Sequence, residues 1–379
     1  MSAILSLFGN FSNLDWKMVV MWIIGAILIY LAIKKDMEPA LLLPMGFGAI
    51  LVNLPMSGVL TENLKSGEGV IDVLFKAGID TELFPLLLFI GIGAMYDFGP
   101  LLANPKLMLF GAAAQFGIFL SFSLAALFFD IKDAASIAII GAADGPTSIY
   151  VAKMLDTDYL GAIIVAAYSY MALVPIVQPP IVKLCTTKKE RLIRMPYEQK
   201  EISKLTRILF PVIVTVITGL FAPDAVALIG FLMFGNLIRE CGVLNSLSET
   251  AQNSLANLVT LLLGITVALK MEADSFLRLD TLLIMVLGLV AFVFDTMGGV
   301  MLAKFMNLFS KNKINPMIGA AGISAFPMSS RVIHKMALKE DKQNYLLMHT
   351  TGVNVSGQIA SVIAGGMILN FFGNGGLFS

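Results

Sequence analysis

Two stretches hold residues whose types and spacing could do chemistry. In the first, Ile-Gly-Ala-Ala-Asp-Gly-Pro-Thr-Ser (140–148), Asp144 is followed by Gly145 and Pro146, which break a helix, and then by the hydroxyls of Thr147 and Ser148. A carboxylate in apolar surroundings at membrane depth costs about 3 kcal/mol or more unless it meets a cation, a proton or a partner. Carbonyl oxygens freed by the break, with the carboxylate and the hydroxyls, form an all-oxygen set suited to a hard monovalent cation. The competing reading is a protonated or salt-bridged aspartate that only caps the half-helix after it.

The second stretch, Asn-Pro-Met-Ile-Gly-Ala-Ala-Gly-Ile-Ser-Ala-Phe-Pro-Met-Ser-Ser-Arg (315–331), contributes Asn315 and Ser324 and ends in Arg331. A guanidinium there could grip a carboxylate bidentately or act as a tethered cation alternating with a transported one. It could equally snorkel to the interface as an anchor. Aligning Pro146 with Pro327 sets Asp144 opposite Ala325 and beside Ser324, so the two stretches are expected to meet in one site. Polar residues follow each: Tyr168, Ser169 and Tyr170 after the first, and His349, Thr350, Thr351, Asn354, Ser356 and Gln358 after the second. Thr350, Asn354 and Gln358 share one helical face, which should look into a polar interior. Asp295, in Phe-Val-Phe-Asp-Thr-Met-Gly-Gly, is a second deep carboxylate of open role.

Positioning these residues requires a membrane. Of 379 residues, 57% are hydrophobic and 14% charged, against roughly 45–50% and 25% in soluble domains. Apolar runs near Met18–Ile33, Pro39–Leu54, Leu83–Tyr96, Leu107–Phe129, Leu160–Val182, Ile208–Ala222, Ala225–Ile238, Leu255–Leu269, Leu282–Met306 and Tyr345–Leu369 predict an all-α polytopic protein with about ten transmembrane helices. The first run is expected to be retained, since it lacks a basic leader and a small-residue cleavage site. Segments 134–155 and 315–336 are apolar but interrupted by Gly, Pro and polar residues. Broken backbone at membrane depth is tolerated only inside protein or beside water, so both are expected to be re-entrant or broken elements.

Giving those two segments no net crossing places 19 of the 26 basic residues on one side, including eight from Lys183 to Arg207. That side is expected to be cytoplasmic, with both termini outside. The halves also echo one another: Ile-Gly-Ala-Ala recurs at 140–143 and 318–321, each ahead of a proline. Five crossings per half make the second copy inverted, so the expected organisation is a first inverted repeat over 1–185, a basic cytoplasmic loop over 186–206 and a second repeat over 207–379. Gly/Pro-interrupted segments at matching positions of inverted repeats point to a midplane site in a secondary transporter. The net charge of zero draws the chain to no nucleic acid. Cys185 and Cys241 have no metal-ligand spacing, and phosphate-loop, dinucleotide and HExxH motifs are absent, so no transition metal or resident nucleotide engine is indicated.

Both broken segments, with Gly-Ala-Met-Tyr-Asp-Phe-Gly-Pro-Leu-Leu-Ala-Asn-Pro near Asp97, Tyr-Ser-Tyr-Met-Ala-Leu-Val-Pro around Tyr170 and the closing Gly-Val-Asn-Val-Ser-Gly-Gln, closely resemble the beta subunits of biotin-dependent, sodium-pumping decarboxylases. The likeness spans most of the chain. It implies a bacterial inner-membrane subunit that decarboxylates carboxybiotin on a partner biotin carrier and exports Na+ while a proton is consumed. Its implied partners are a carboxyltransferase, the biotin carboxyl carrier and a small membrane-anchor subunit, in an assembly with more than one copy of the chain. Carried over by position, Asp144 would bind sodium and exchange it for a proton, with Tyr170, Asn315, Ser324 and Asn354 shaping the cation sites. Asp144, Arg331 and Tyr170 would serve the reaction, Gly145 and Pro146 the break, and Gly319 close packing. A sodium-coupled carboxylate symporter acting alone is the alternative.

Overall fold

A computed structural model describes residues 12–196 and 202–373, and all regular structure among them is helical. The apolar runs fold this way because a helix satisfies its own backbone donors and acceptors where no water can. The elements that matter are α1 (Trp16–Lys35), α2 (Pro39–Val52), α3 (Leu83–Met95), α4 (Pro105–Ala125), α5 (Ile131–Ala138), α6 (Gly145–Met154), α7 (Leu160–Cys185), α8 (Lys204–Phe221), α9 (Val226–Cys241), α10 (Asn245–Met271), α11 (Leu279–Phe309), α12 (Met328–Glu340) and α13 (Leu347–Phe372). Six of them (α1, α4, α7, α10, α11 and α13) are long and apolar enough to cross a membrane, and α2 and α3 are shorter apolar helices.

Each apolar run predicted from sequence is helical. The largest difference in bounds is α10, which starts at Asn245 rather than near Leu255. Along its polar first turns side chains back-bond to the preceding turn: Thr250 Oγ1 donates to the Ser246 carbonyl at 2.9 Å and Asn253 Nδ2 to that of Glu249 at 3.0 Å. The broken segments also run slightly longer than 134–155 and 315–336. The first arm begins at Ile131 and the last extends to Glu340, while the first arm of the second segment is a 3-10 helix, Pro316–Gly322.

Ion pairs and hydrogen bonds tie the loops into two opposite ends. At one, Lys17 pairs with Asp274 at 2.6 Å and Lys153 with Asp80 at 3.8 Å, and the Tyr150 hydroxyl donates to the Asp224 carbonyl. At the other, Arg191 pairs with Glu340 at 2.8 Å, Arg194 with Asp341 at 2.6 Å and Lys304 with Glu190 at 3.4 Å. The 26-residue α7, ~39 Å long, runs from the first end to the second.

Each broken segment is a hairpin that returns to the end where it began. Thr157, after α6, donates to the Asp133 carboxylate in α5 at 2.5 Å, closing the base of the first hairpin at the Lys153 end. The second is closed through Arg191, whose carbonyl accepts from Asn315 at 2.9 Å and from Asn344 at 3.0 Å. The hairpins therefore enter from opposite ends of α7. Around them, α9 packs on α3 and α10 on α2, while α13 packs on α4 and α11 on α7.

The outer surface is that of a membrane protein. Ile23 is 56% exposed, with Ile27, Val212 and Ile213 similarly outward, whereas Asp144, Asn354 and Gln358 are buried. Apolar outside and polar inside is stable where the surrounding solvent is hydrocarbon.

Candidate functional site

The first hairpin turns at Ala143, whose φ of 51° is left-handed, and Asp144 then takes an extended conformation. This makes Asp144 the N-cap of α6, with Pro146 in the first turn, where a missing N–H costs nothing. Its carboxylate accepts from Thr147 Oγ1 at 2.6 Å and, at 3.4 Å, from the Thr147 amide. A cap would need no more. Yet Gln358 Nε2, at 2.5 Å, and Ser361 Oγ, at 2.9 Å, also donate to the same oxygen from α13. Behind Gln358, the Tyr96 hydroxyl donates to its Oε1 at 2.9 Å and fixes the amide's orientation. Donors from both halves of the chain thus converge on a carboxylate that is only 3% exposed.

The tip of the second hairpin closes on the first, for the Ser324 amide donates to the Ala142 carbonyl at 3.1 Å. Ser324 Oγ donates to the Gly357 carbonyl at 3.1 Å, and Asn354 Nδ2 to that of Ile323 at 2.7 Å, leaving the buried Asn354 Oδ1 without a partner. The second hairpin also packs closely on α11, where a Cβ on Gly319 would land on the Gly299 carbonyl.

A cavity of about 150 Å³ reaches Asp144, Pro146, Ser324, Tyr168 and Gln358. Glu38, in the turn between α1 and α2, lines it as well. Burial pushes the Glu38 carboxyl up, Arg331 draws it back down and Asp36 raises it further. Arg331 itself is exposed, one helical turn beyond Pro327, which lines the cavity.

The residues singled out from sequence fall into two groups. Asp144, Gly145, Pro146, Ser324 and Asn354 come together at the hairpin tips, with Gly319 packed behind and Arg331 farther out. Asn315 does not join them: its Nδ2 donates to the carbonyls of Arg191 and Ile193, and its Oδ1 caps the 3-10 helix through the Met317 amide. Tyr170 turns toward α11, where its hydroxyl donates to the Met285 carbonyl. Tyr168 lines the cavity, with its ring against Gly145. Tyr96 and Ser361 were not anticipated. Ser361 lies seven residues after Asn354, two turns along the same face, and that spacing was the available signal. Asp295 is fully buried, accepts the Gly117 amide at 2.5 Å on Oδ1 and has no partner at Oδ2.

Among the described residues no group of three or more His, Cys, Asp or Glu could hold a metal ion. An isolated carboxylate among neutral hydroxyls and an amide suits a weakly held monovalent ion that must also leave.

Comparison with known proteins gives this geometry a context. The family model for the Na+-transporting oxaloacetate decarboxylase beta subunit matches residues 17–372. The chain is 46% identical to the methylmalonyl-CoA decarboxylase subunit beta of Propionigenium modestum, covering 96% of this chain and 97% of that protein. It is 48% identical to the glutaconyl-CoA decarboxylase subunit beta of Acidaminococcus fermentans, covering 96% of each. With the oxaloacetate decarboxylase beta chain of Klebsiella pneumoniae it shares 45% identity, over 93% of this chain and 94% of that one. A membrane-embedded carboxylate between two hairpins, on a chain alike to these from end to end, leads to one conclusion: this protein belongs to the family of Na+-transporting decarboxylase beta subunits.

Proposed function

We propose that the chain decarboxylates carboxybiotin presented by a partner carrier at its cytoplasmic face and couples that reaction to Na+ export through Asp144. The observation that carries this reading is the convergence of Thr147, Gln358 and Ser361 on one buried carboxylate at the meeting point of the hairpins. Four donors hold the anionic form in place, and a small change in hairpin spacing trades them for an ion or a proton. Carboxybiotin supplies a labile bond between a carboxylate and a ureido nitrogen, whose cleavage releases CO2 and requires one proton. Asp144 is the group that delivers it: Na+ arriving at the protonated carboxyl displaces the proton into the cavity, toward the reacting group. Ser324 and Asn354 Oδ1 stand beside the ion. Tyr170 and Asn315 act at a distance, by holding α11 and the base of the second hairpin. Arg331, near the outer part of the cavity, guides the carboxylate inward.

The paired packing of α9 on α3 with α10 on α2, and of α13 on α4 with α11 on α7, supports two inverted repeats with re-entrant hairpins. With the basic Arg191 end in the cytoplasm, α1 begins and α13 ends on the outer side of a bacterial inner membrane, and the termini themselves, expected outside, lie beyond the described residues. The carboxyltransferase, the carrier and a small anchor subunit complete the machine, which holds more than one copy of this chain.

The test is CO2 release from carboxylated biotin carrier by the subunit in liposomes, with the other subunits supplied, with and without Na+. Wild type should be stimulated by Na+, and Asp144→Asn should lose the stimulation, because an amide keeps the shape but cannot trade a proton for a cation. Normal Na+ activation in Asp144→Asn removes the carboxylate from the mechanism. Absence of release from folded wild type under any Na+ condition favours a symporter.

A further inference from the structure

Most of the buried polar groups in the Asp144 cavity are committed. Gln358 uses its amide nitrogen on Asp144 and its oxygen on Tyr96, the Ser324 hydroxyl donates to Gly357, and the Thr260 hydroxyl donates to Ala256. Tyr168 is different. It is 1% exposed, its ring is wedged so that a Cβ on Gly145 would lie 2.5 Å from it, and its hydroxyl has no hydrogen-bond partner. A buried hydroxyl without a partner is costly, and native proteins keep such groups where a ligand or water completes them. Tyr168 lines the cavity that Asp144 also lines, and the hydroxyl-bearing end of its ring lies against Gly145 at the helix break.

We propose that Tyr168 is a catalytic residue that donates its O–H to the ureido oxygen of the carboxylated ring; this rests on the reading above that the cavity receives that ring. The bond between the carboxylate carbon and the ureido nitrogen breaks, CO2 departs, and the electron pair stays on the nitrogen and its carbonyl oxygen until the proton from Asp144 is taken up. Negative charge therefore grows on that oxygen during cleavage. A donor fixed in a dry wall and aimed there stabilises the transition state more than the ground state. Asp144, carrying only acceptor atoms when ionised, cannot do this until it is protonated. The two residues divide the work: one holds the charge as it forms, the other discharges it.

Tyr168→Phe keeps the ring on Gly145 and deletes only the hydroxyl, so the melting temperature of the variant should be unchanged or raised. In the complete complex, kcat for CO2 release from carboxylated carrier should fall about 100-fold, the order found for loss of one oxyanion donor, while half-saturating Na+ stays within about two-fold. A second readout needs no turnover: binding of free radiolabelled biotin to the purified full-length subunit, by equilibrium dialysis, should weaken about ten-fold, as for loss of one hydrogen bond. Unchanged kcat with unchanged biotin binding would show that the hydroxyl meets only water, and would overturn the proposal. A shift confined to half-saturating Na+ would also overturn it, by making Tyr168 an ion ligand. Wild type that neither binds biotin nor releases CO2 would refute the carboxybiotin reading itself, and this proposal with it.

Discussion

The two hairpins share a backbone plan but not a charge plan. The first turns on a left-handed Ala143 and presents a carboxylate at its tip. The second, entering from the opposite end, presents the hydroxyl of Ser324 and keeps its charge, Arg331, a turn out on α12. Their packing differs in the same sense. Gly319 meets the Gly299 backbone, whereas a Cβ on Gly141 would meet the Ala291 side chain at 2.7 Å and the Asp295 carboxylate at 2.8 Å. On the proposed function, the first hairpin holds the ion, and the second supplies a close-fitting, neutral partner that brings no second charge into the site.

The contrast can be broken at several points. The largest effect should come from moving the charge: Ser324→Asp sets a second carboxylate beside Asp144, and Na+-stimulated CO2 release should fall at least 100-fold, since two adjacent carboxylates bind a proton too firmly to exchange it. Activity near wild type would show that the second tip tolerates charge. Next, Gln358→Leu removes a donor from Asp144 and strands the Tyr96 hydroxyl. Half-saturating Na+ should rise about ten-fold, the worth of one hydrogen bond to a charged group, and an unchanged Na+ titration would separate Gln358 from the ion.

Packing gives a smaller contrast. Gly319→Ala should destabilise the protein by roughly 1–3 kcal/mol because its Cβ would overlap the Gly299 backbone, and Gly141→Ala by less because its nearest contacts are longer. Thermal melts giving the reverse order would contradict the difference drawn between the hairpins.

The smallest effect lies outside both. Glu272, just beyond α10 at the Lys153 end, is pushed up to about 7 by burial and by the neighbouring Glu62. A carboxyl raised in the fold above its ordinary value of 4.5 lends stability below about pH 4.5 that is lost as pH climbs to 7. Melting temperature should decline across that window, and Glu272→Gln should flatten the decline. An equal slope in both proteins would assign it elsewhere.

Much of this was legible in the sequence because Gly, Pro and a carboxylate inside apolar runs have few bland explanations. The proline alignment placed Asp144 beside Ser324, and the tips do touch through the Ser324 amide and the Ala142 carbonyl. The tyrosines show where such reading stops. Residues 168 and 170 are two apart on a helix, about 200° around its axis, so only one can face the cavity, and type alone cannot say which. Asn315 was ambiguous for another reason: an amide opening a broken segment can coordinate an ion or clamp a loop, and its partners, Arg191 and Ile193, lie more than a hundred residues away. Ser361 and Tyr96 were hidden because a lone hydroxyl in an apolar helix usually bonds a neighbouring helix. Their target became visible only when α13 and α3 were set around the hairpins.

The central claim is that Na+ and a proton compete for Asp144. The direct test is proton release on adding Na+ to the purified subunit in weakly buffered detergent solution, followed with a pH indicator. Release of about one proton per chain in wild type and none in Asp144→Asn is the predicted result. Na+ binding to wild type without proton release, or equal release from Asp144→Asn, would contradict it.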